Sequence, residues 1–129
     1  MWKPTEAQKK AMEAAEKAGK EFFYVGHYYD IEGKYVLKLG TTDNLRRRRI
    51  EHNQNYRKAK RHTMPPDGEF IYDWFIPLSK YNTLRVEDRT KTSYREIGFG
   101  EYLNNDRFIF DTKPASLKIK VRKTYEIAL

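Results

Sequence analysis

Two aromatic, β-prone runs stand close together early in the chain, Glu21-Phe22-Phe23-Tyr24-Val25-Gly26-His27-Tyr28-Tyr29 and Tyr35-Val36-Leu37-Lys38-Leu39-Gly40. Asp30-Ile31-Glu32-Gly33 separates them, and a turn-forming stretch of that length between two such runs predicts a β-hairpin. The hairpin constrains the chain downstream of it. Gly40 and Thr41 turn the backbone into Thr42-Asp43-Asn44-Leu45-Arg46-Arg47-Arg48-Arg49-Ile50-Glu51-His52, which reads as the start of a helix capped by Asp43 or Thr42. Positive charge is thereby carried to a place where a phosphate can dock. Between 45 and 62 there are eight Lys or Arg (Arg46, Arg47, Arg48, Arg49, Arg57, Lys58, Lys60 and Arg61) against one acid, Glu51, an excess no ion-pair pattern within the helix balances.

At about 100° per residue, Leu45, Arg48, Arg49, His52, Tyr56 and Ala59 share the arc of this helix that faces the protein body. Arg48 and His52 sit one turn apart on it, so a guanidinium and an imidazole converge on one small anion. The blander alternative is a solvated basic helix with a histidine at its edge. A second long helix, over about 83–97, has its own irregularity, because Glu87 falls in the arc of Leu84, Val86, Thr90, Tyr94 and Ile97. A carboxylate in a buried stripe requires a cation, a metal or a water-lined cleft, or else an edge-of-core salt bridge to an arginine.

Upstream, Thr5 and Gln8 form a capping box for an alanine-rich helix that stops at Gly19 and is expected to be peripheral. The basic helix runs to about Arg61, and Met64-Pro65-Pro66-Asp67-Gly68 breaks it before a third strand over 70–76. Gly98 to Gly100 end the second long helix, Asn104-Asn105-Asp106 make a turn, and short strands over 108–110 and 117–121 complete the chain. This order predicts an α+β fold, with a small mixed β-sheet built from the hairpin and third strand and flanked by helices. One domain over 1–129 is expected: a peripheral helix in 1–20, a core over 21–110 and a C-terminal strand extension in 111–129.

Hydrophobic content of 39% beside 34% charged residues suits a folded, soluble chain. No run is apolar enough to span a membrane, and residues 1–20 hold no apolar signal core, so an intracellular location is expected. Absence of cysteine excludes disulfides, thiolate nucleophiles and zinc-thiolate sites, and three scattered histidines cannot form a His-rich metal cluster. Any metal must be held by oxygen. The 26 basic against 18 acidic residues, a net charge of +8, favour a polyanionic partner.

Over roughly 22–110 these positions resemble the GIY-YIG nuclease superfamily, particularly its phage and large-virus type, with Lys38-Leu39-Gly40 as the second motif. Arg48 lies eight residues past Gly40 and His52 one turn further, the family's spacing, and Leu84-Arg85-Val86-Glu87 supplies the context of its glutamate. For the first motif Gly26-His27-Tyr28 is the nearest string. If the turn is 30–33, however, the cross-strand partner of Lys38 falls near Tyr24 rather than Tyr28, which favours Tyr24 as the motif tyrosine. Lys38 stands where the family's second tyrosine does, and the family asparagine is Asn104 or Asn105.

The resemblance implies a ββαβα core and a metal-dependent endonuclease that hydrolyses DNA phosphodiester bonds, with RNA as the other substrate class. It implies Tyr24, Lys38, Arg48, His52 and Glu87 as catalytic residues lining one cleft. Glu87 would hold a single Mg2+ (or Mn2+) otherwise coordinated by water. Tyr24 would act as general base, its proton drawn off through Lys38 or His52, while Arg48 neutralises charge on the phosphorane. Arg46, Arg47, Arg49, Arg57, Lys58, Lys60 and Arg61 would bind the nucleic-acid backbone without reading sequence. The competing expectation is a catalytically inactive nucleic-acid-binding module of the same fold.

Overall fold

A computed structural model describes residues 3–78, 80–96, 100–103 and 107–114, apart from the side chains of 80–84, 93 and 96. Its elements, in order, are α1 (Glu6–Lys17), β1 (Glu21–Tyr29), β2 (Tyr35–Thr42), α2 (Leu45–Arg57), β3 (Ile71–Leu78), α3 (Lys80–Glu96), β4 (Glu101–Leu103) and β5 (Arg107–Phe110). The class is α+β, as expected. The five strands form one sheet in the order β3-β1-β2-β5-β4, and every pairing is antiparallel. The sheet is therefore not mixed: each hairpin or helical return brings the chain back in the opposite sense beside its neighbour. Strand β4 was not anticipated. Ile97, Asn104, Asn105 and the strand expected over 117–121 lie outside the described residues, as does the Leu84 side chain.

Period-two alternation divides the strands between two faces. Phe22, Tyr24, Tyr28, Val36, Tyr72 and Ile109 point to one face, where they pack with Met12 and Ala15 of α1 and Leu45 and Tyr56 of α2. Phe23, Val25, Tyr35, Leu37, Leu39 and Phe108 point to the other, under Val86 and Tyr94 of α3. The first helix is thus not merely peripheral, because Met12 and Ala15 are both buried in the first of these clusters. Its capping box between Thr5 and Gln8 is formed as expected. Among the described residues no helix is long and apolar enough to cross a membrane.

The hairpin turn is wound around Asp30. Its carboxylate accepts the amides of Glu32 and Lys34, both at 2.9 Å, and its other oxygen meets His62 Nδ1 at 2.9 Å. Ile31 N–H donates to Thr63 O, also at 2.9 Å, so the hairpin tip is tied to the segment leaving α2. Helix α2 is capped by Asn44, whose side chain accepts Arg47 N–H at 3.0 Å, rather than by Asp43 or Thr42. Thr42 instead accepts the Asn44 amide, which turns the chain into the helix one residue later than anticipated. The helix stops at Arg57, short of Arg61, as the Met64 amide claims Tyr56 O and folds the chain back under it.

Candidate functional site

The site starts from a glycine. In the β1–β2 ladder Tyr24 pairs with Gly40, Gly26 with Lys38 and Tyr28 with Val36. A Cβ at Gly40 would collide with the Tyr24 hydroxyl and ring, so the missing side chain is what lets the phenol lie across β2. Lys38 is opposite Gly26, two residues from the position expected near Tyr24, and stays on the same face as both tyrosines. Tyr24 lines a cleft of about 740 Å3 beside Lys38, Arg48, His52, Tyr56 and Glu87. Tyr28 is engaged otherwise, its hydroxyl donating to His62 O at 2.7 Å.

Helix α2 carries His52 onto the Tyr24 hydroxyl, Nε2 to Oη at 2.5 Å. The imidazole is 2% exposed, stacked on Tyr56 and edge-on to Tyr24. Burial, with the charges of Arg48 and Lys38 adding to it, holds its pKa down at about 3, so His52 is uncharged at neutral pH. Burial, reinforced by Tyr72, pushes the Tyr24 phenol well above its ordinary value, although the Arg48 guanidinium pulls the other way. Both partners are neutral, and the assignment consistent with that is Tyr24 O–H donating to His52 Nε2. The phenol proton is thereby shared with the imidazole lone pair along one short hydrogen bond.

Glu87 arrives from the opposite side. Val86 and Tyr94 of the same helix pack on the α3 face, yet half-buried Glu87 lines the cleft on the α2 face and its charge acts on Tyr24. The sheet permits this because β5 pairs with β2 only from Tyr35 to Lys38, leaving the Gly40 end of β2 uncovered on that side among the described residues. Arg48 leans over the cleft half-buried, with Glu51 at 3.5 Å. All five residues expected to form a cleft line this one.

The basic residues divide into distinct groups. Arg46 and Lys58 are exposed, Arg57 is exposed while donating to Gly68 O at 2.7 Å, and Lys60 and Arg61 border the cleft. Arg47 is ion-paired with Asp43 and, at 3.5 Å, with Glu51. Arg49 departs from expectation: its Nε donates to Phe70 O at 2.7 Å and its terminal nitrogen meets Glu69 at 2.9 Å, which pins α2 to the segment before β3. Buried Asn53 completes that seam by accepting Phe70 N–H at 2.7 Å. Arg49 is thus held by partners within the protein.

Arg107 went unrecognised. The strand was expected to begin at Phe108, but it begins at Arg107, which pairs with Lys38 across the ladder and lines the cleft. Alternation from Ile109 would have put Arg107 on the α2 face had the extra residue been counted. Among the described residues no group of three or more His, Asp or Glu is arranged to hold a metal, and Glu87 is the one carboxylate among those lining the cleft. Such a site suits a hard ion that keeps most of its water. Compared with known proteins, the chain matches no family model, no curated protein and no solved structure.

Proposed function

We propose that this chain is a metal-dependent endonuclease of GIY-YIG type, hydrolysing DNA phosphodiester bonds. The observation that carries the reading is the meeting of Tyr24, Lys38, Arg48, His52 and Glu87, from four separate elements, around one cleft. Glu87 would hold Mg2+ or Mn2+, which when bound polarises the phosphate and stabilises the leaving oxygen. Tyr24 accepts the proton of the attacking water as it passes its own to His52, so no free phenolate has to build up. Burial holds His52 neutral in the free protein, and Arg48 and Lys38, which add to that effect, are the charges a bound phosphate offsets. The imidazole therefore gains basicity when substrate arrives. Arg48 then faces the charge that develops on the phosphorane. Arg46, Arg57, Lys58, Lys60 and Arg61 supply backbone attraction, Arg47 less because of its acidic partners, and Arg49 none.

The test is nicking of supercoiled plasmid with Mg2+ or Mn2+, and with EDTA, by the wild type and by Glu87→Gln. Metal-dependent nicking that falls at least about 100-fold in Glu87→Gln, with metal-free DNA binding unchanged or tighter, is the expected result. Retarded but intact DNA under all conditions would instead identify a binding module that shares the cleft without turnover.

A further inference from the structure

Arg107 is a guanidinium in an expensive position. It is 9% exposed, and its partners among the described residues are all neutral: the Tyr28 hydroxyl at 2.9 Å, Arg61 O at 3.4 Å and the Tyr56 ring at 5.5 Å. Its Nε is buried with no hydrogen-bond partner among them. Directly across the ladder stands another buried basic residue, Lys38. A buried charge in such company is compensated only when an anion joins it.

The guanidinium is also held in place. Tyr28 gives its own proton to His62 O, so its oxygen lone pairs are turned to Arg107. His62 is in turn fastened to Asp30 at the hairpin tip. Tyr56, stacked on both His52 and Tyr28, joins this corner to the Tyr24–His52 pair, and the cleft of about 740 Å3 is far larger than one phosphate needs. Lys60 and Arg61 border the same cleft.

We propose that Arg107, opposite Lys38, anchors a second phosphate subsite that takes the backbone phosphate next to the scissile one. Arg107 is a positioning residue: it sets the register of the strand so that the neighbouring phosphodiester lies at Arg48 and Tyr24. The naming of that neighbour as scissile rests on the nuclease reading; the anion preference of Arg107 does not.

The test uses the full chain in EDTA, so nothing is cleaved, with TpT and its 5′- and 3′-phosphorylated forms as probes in NMR titrations. One added terminal phosphate should tighten wild-type binding about tenfold, the effect of a charge-assisted hydrogen bond. That gain should fall below about twofold in Arg107→Gln and largely return in Arg107→Lys. Arg107→Met, which keeps the stem over Tyr56 without the charge, replaces Arg107→Gln should the latter not fold. A folded uncharged variant that keeps the whole gain overturns the proposal, as does inorganic phosphate binding as tightly as the phosphorylated dinucleotide. Plasmid nicking is scored separately. An Arg107-dependent gain without nicking leaves the subsite and removes the nuclease, whereas nicking without the gain does the reverse.

Discussion

On the α2 face His52 meets a phenol at 2.5 Å under the charges of Arg48 and Lys38, whereas on the α3 face His27 meets the Asp73 carboxylate at 2.7 Å and stacks on Tyr35. The second arrangement is compensated from within. A bulge between Val25 and Gly26 leaves Asp73 as the extra residue of β3, and its carboxylate also accepts the Tyr35 hydroxyl at 3.1 Å. The first arrangement gathers cations around an imidazole lone pair, with Glu87 as the one carboxylate lining the cleft among the described residues. One set of strands thus builds a face on which a histidine is held by a carboxylate and a face on which a histidine is held by a phenol, inside a cleft lined by five Lys or Arg and one carboxylate among the described residues. The difference teaches where to look for an anionic ligand: in the cleft where basic side chains outnumber carboxylates among the described lining residues.

The largest expected contrast comes from truncating one residue on each face. Phe108→Ala, in the sealed cluster, should cost about 3–5 kcal/mol in denaturant unfolding. Arg48→Ala, half-exposed over the cleft, should change stability little and lower turnover by about 10²–10³. If Arg48→Ala destabilises as much as Phe108→Ala, the two faces do not differ in kind.

Next comes the protonation of His52. Its folded pKa of about 3 lies below the ordinary value of 6.5, so the neutral ring contributes stability that is present above about pH 6.5 and lost as pH falls toward 3. The full effect is on the order of 5 kcal/mol. In NMR the His52 ring should show no titration between about pH 8 and 5, where an unperturbed imidazole does. A midpoint near 6.5 would mean that neither burial nor the neighbouring cations act on this ring as described. Addition of a phosphate ligand should raise the midpoint, because it offsets those cations.

The smallest effect sharpens the contrast within the ladder. Gly40→Ala places a methyl group against the Tyr24 ring and should cost about 1–3 kcal/mol, while breaking the Tyr24–His52 hydrogen bond and reducing turnover. Turnover is read by plasmid nicking and stability by thermal melting. An unchanged cleft signal for His52 in this variant would show that Tyr24 does not depend on the empty space over Gly40.

Much of the frame was legible because local rules write it. Alternation and turn chemistry delimited β1 as Glu21–Tyr29, the Thr5 and Gln8 box opened α1, and the four-residue spacing put Arg48 and His52 on one side of α2. Register was less accessible. The hairpin loop includes Lys34, whose carbonyl accepts Asp30 N–H, and that one added residue slides the ladder by one position toward Gly26, the observed partner of Lys38. The α2 cap moved to Asn44 because Thr42 was better used in the turn before it, a competition between neighbouring side chains that propensity does not rank.

What the sequence determined by itself was the identity and local placement of the reactive groups: tyrosine and lysine on a hairpin, arginine and histidine one turn apart, and a glutamate out of keeping with its helix stripe. Only the tertiary structure decided their electrostatic state and company. Packing against Tyr24 and Tyr56 removed water from His52, α3 brought Glu87 to the same cleft, and the β2–β5 ladder set Arg107 against Lys38. A pKa and a buried charge depend on distance and solvent exclusion between residues far apart in the chain, and neither is defined until the chain has folded.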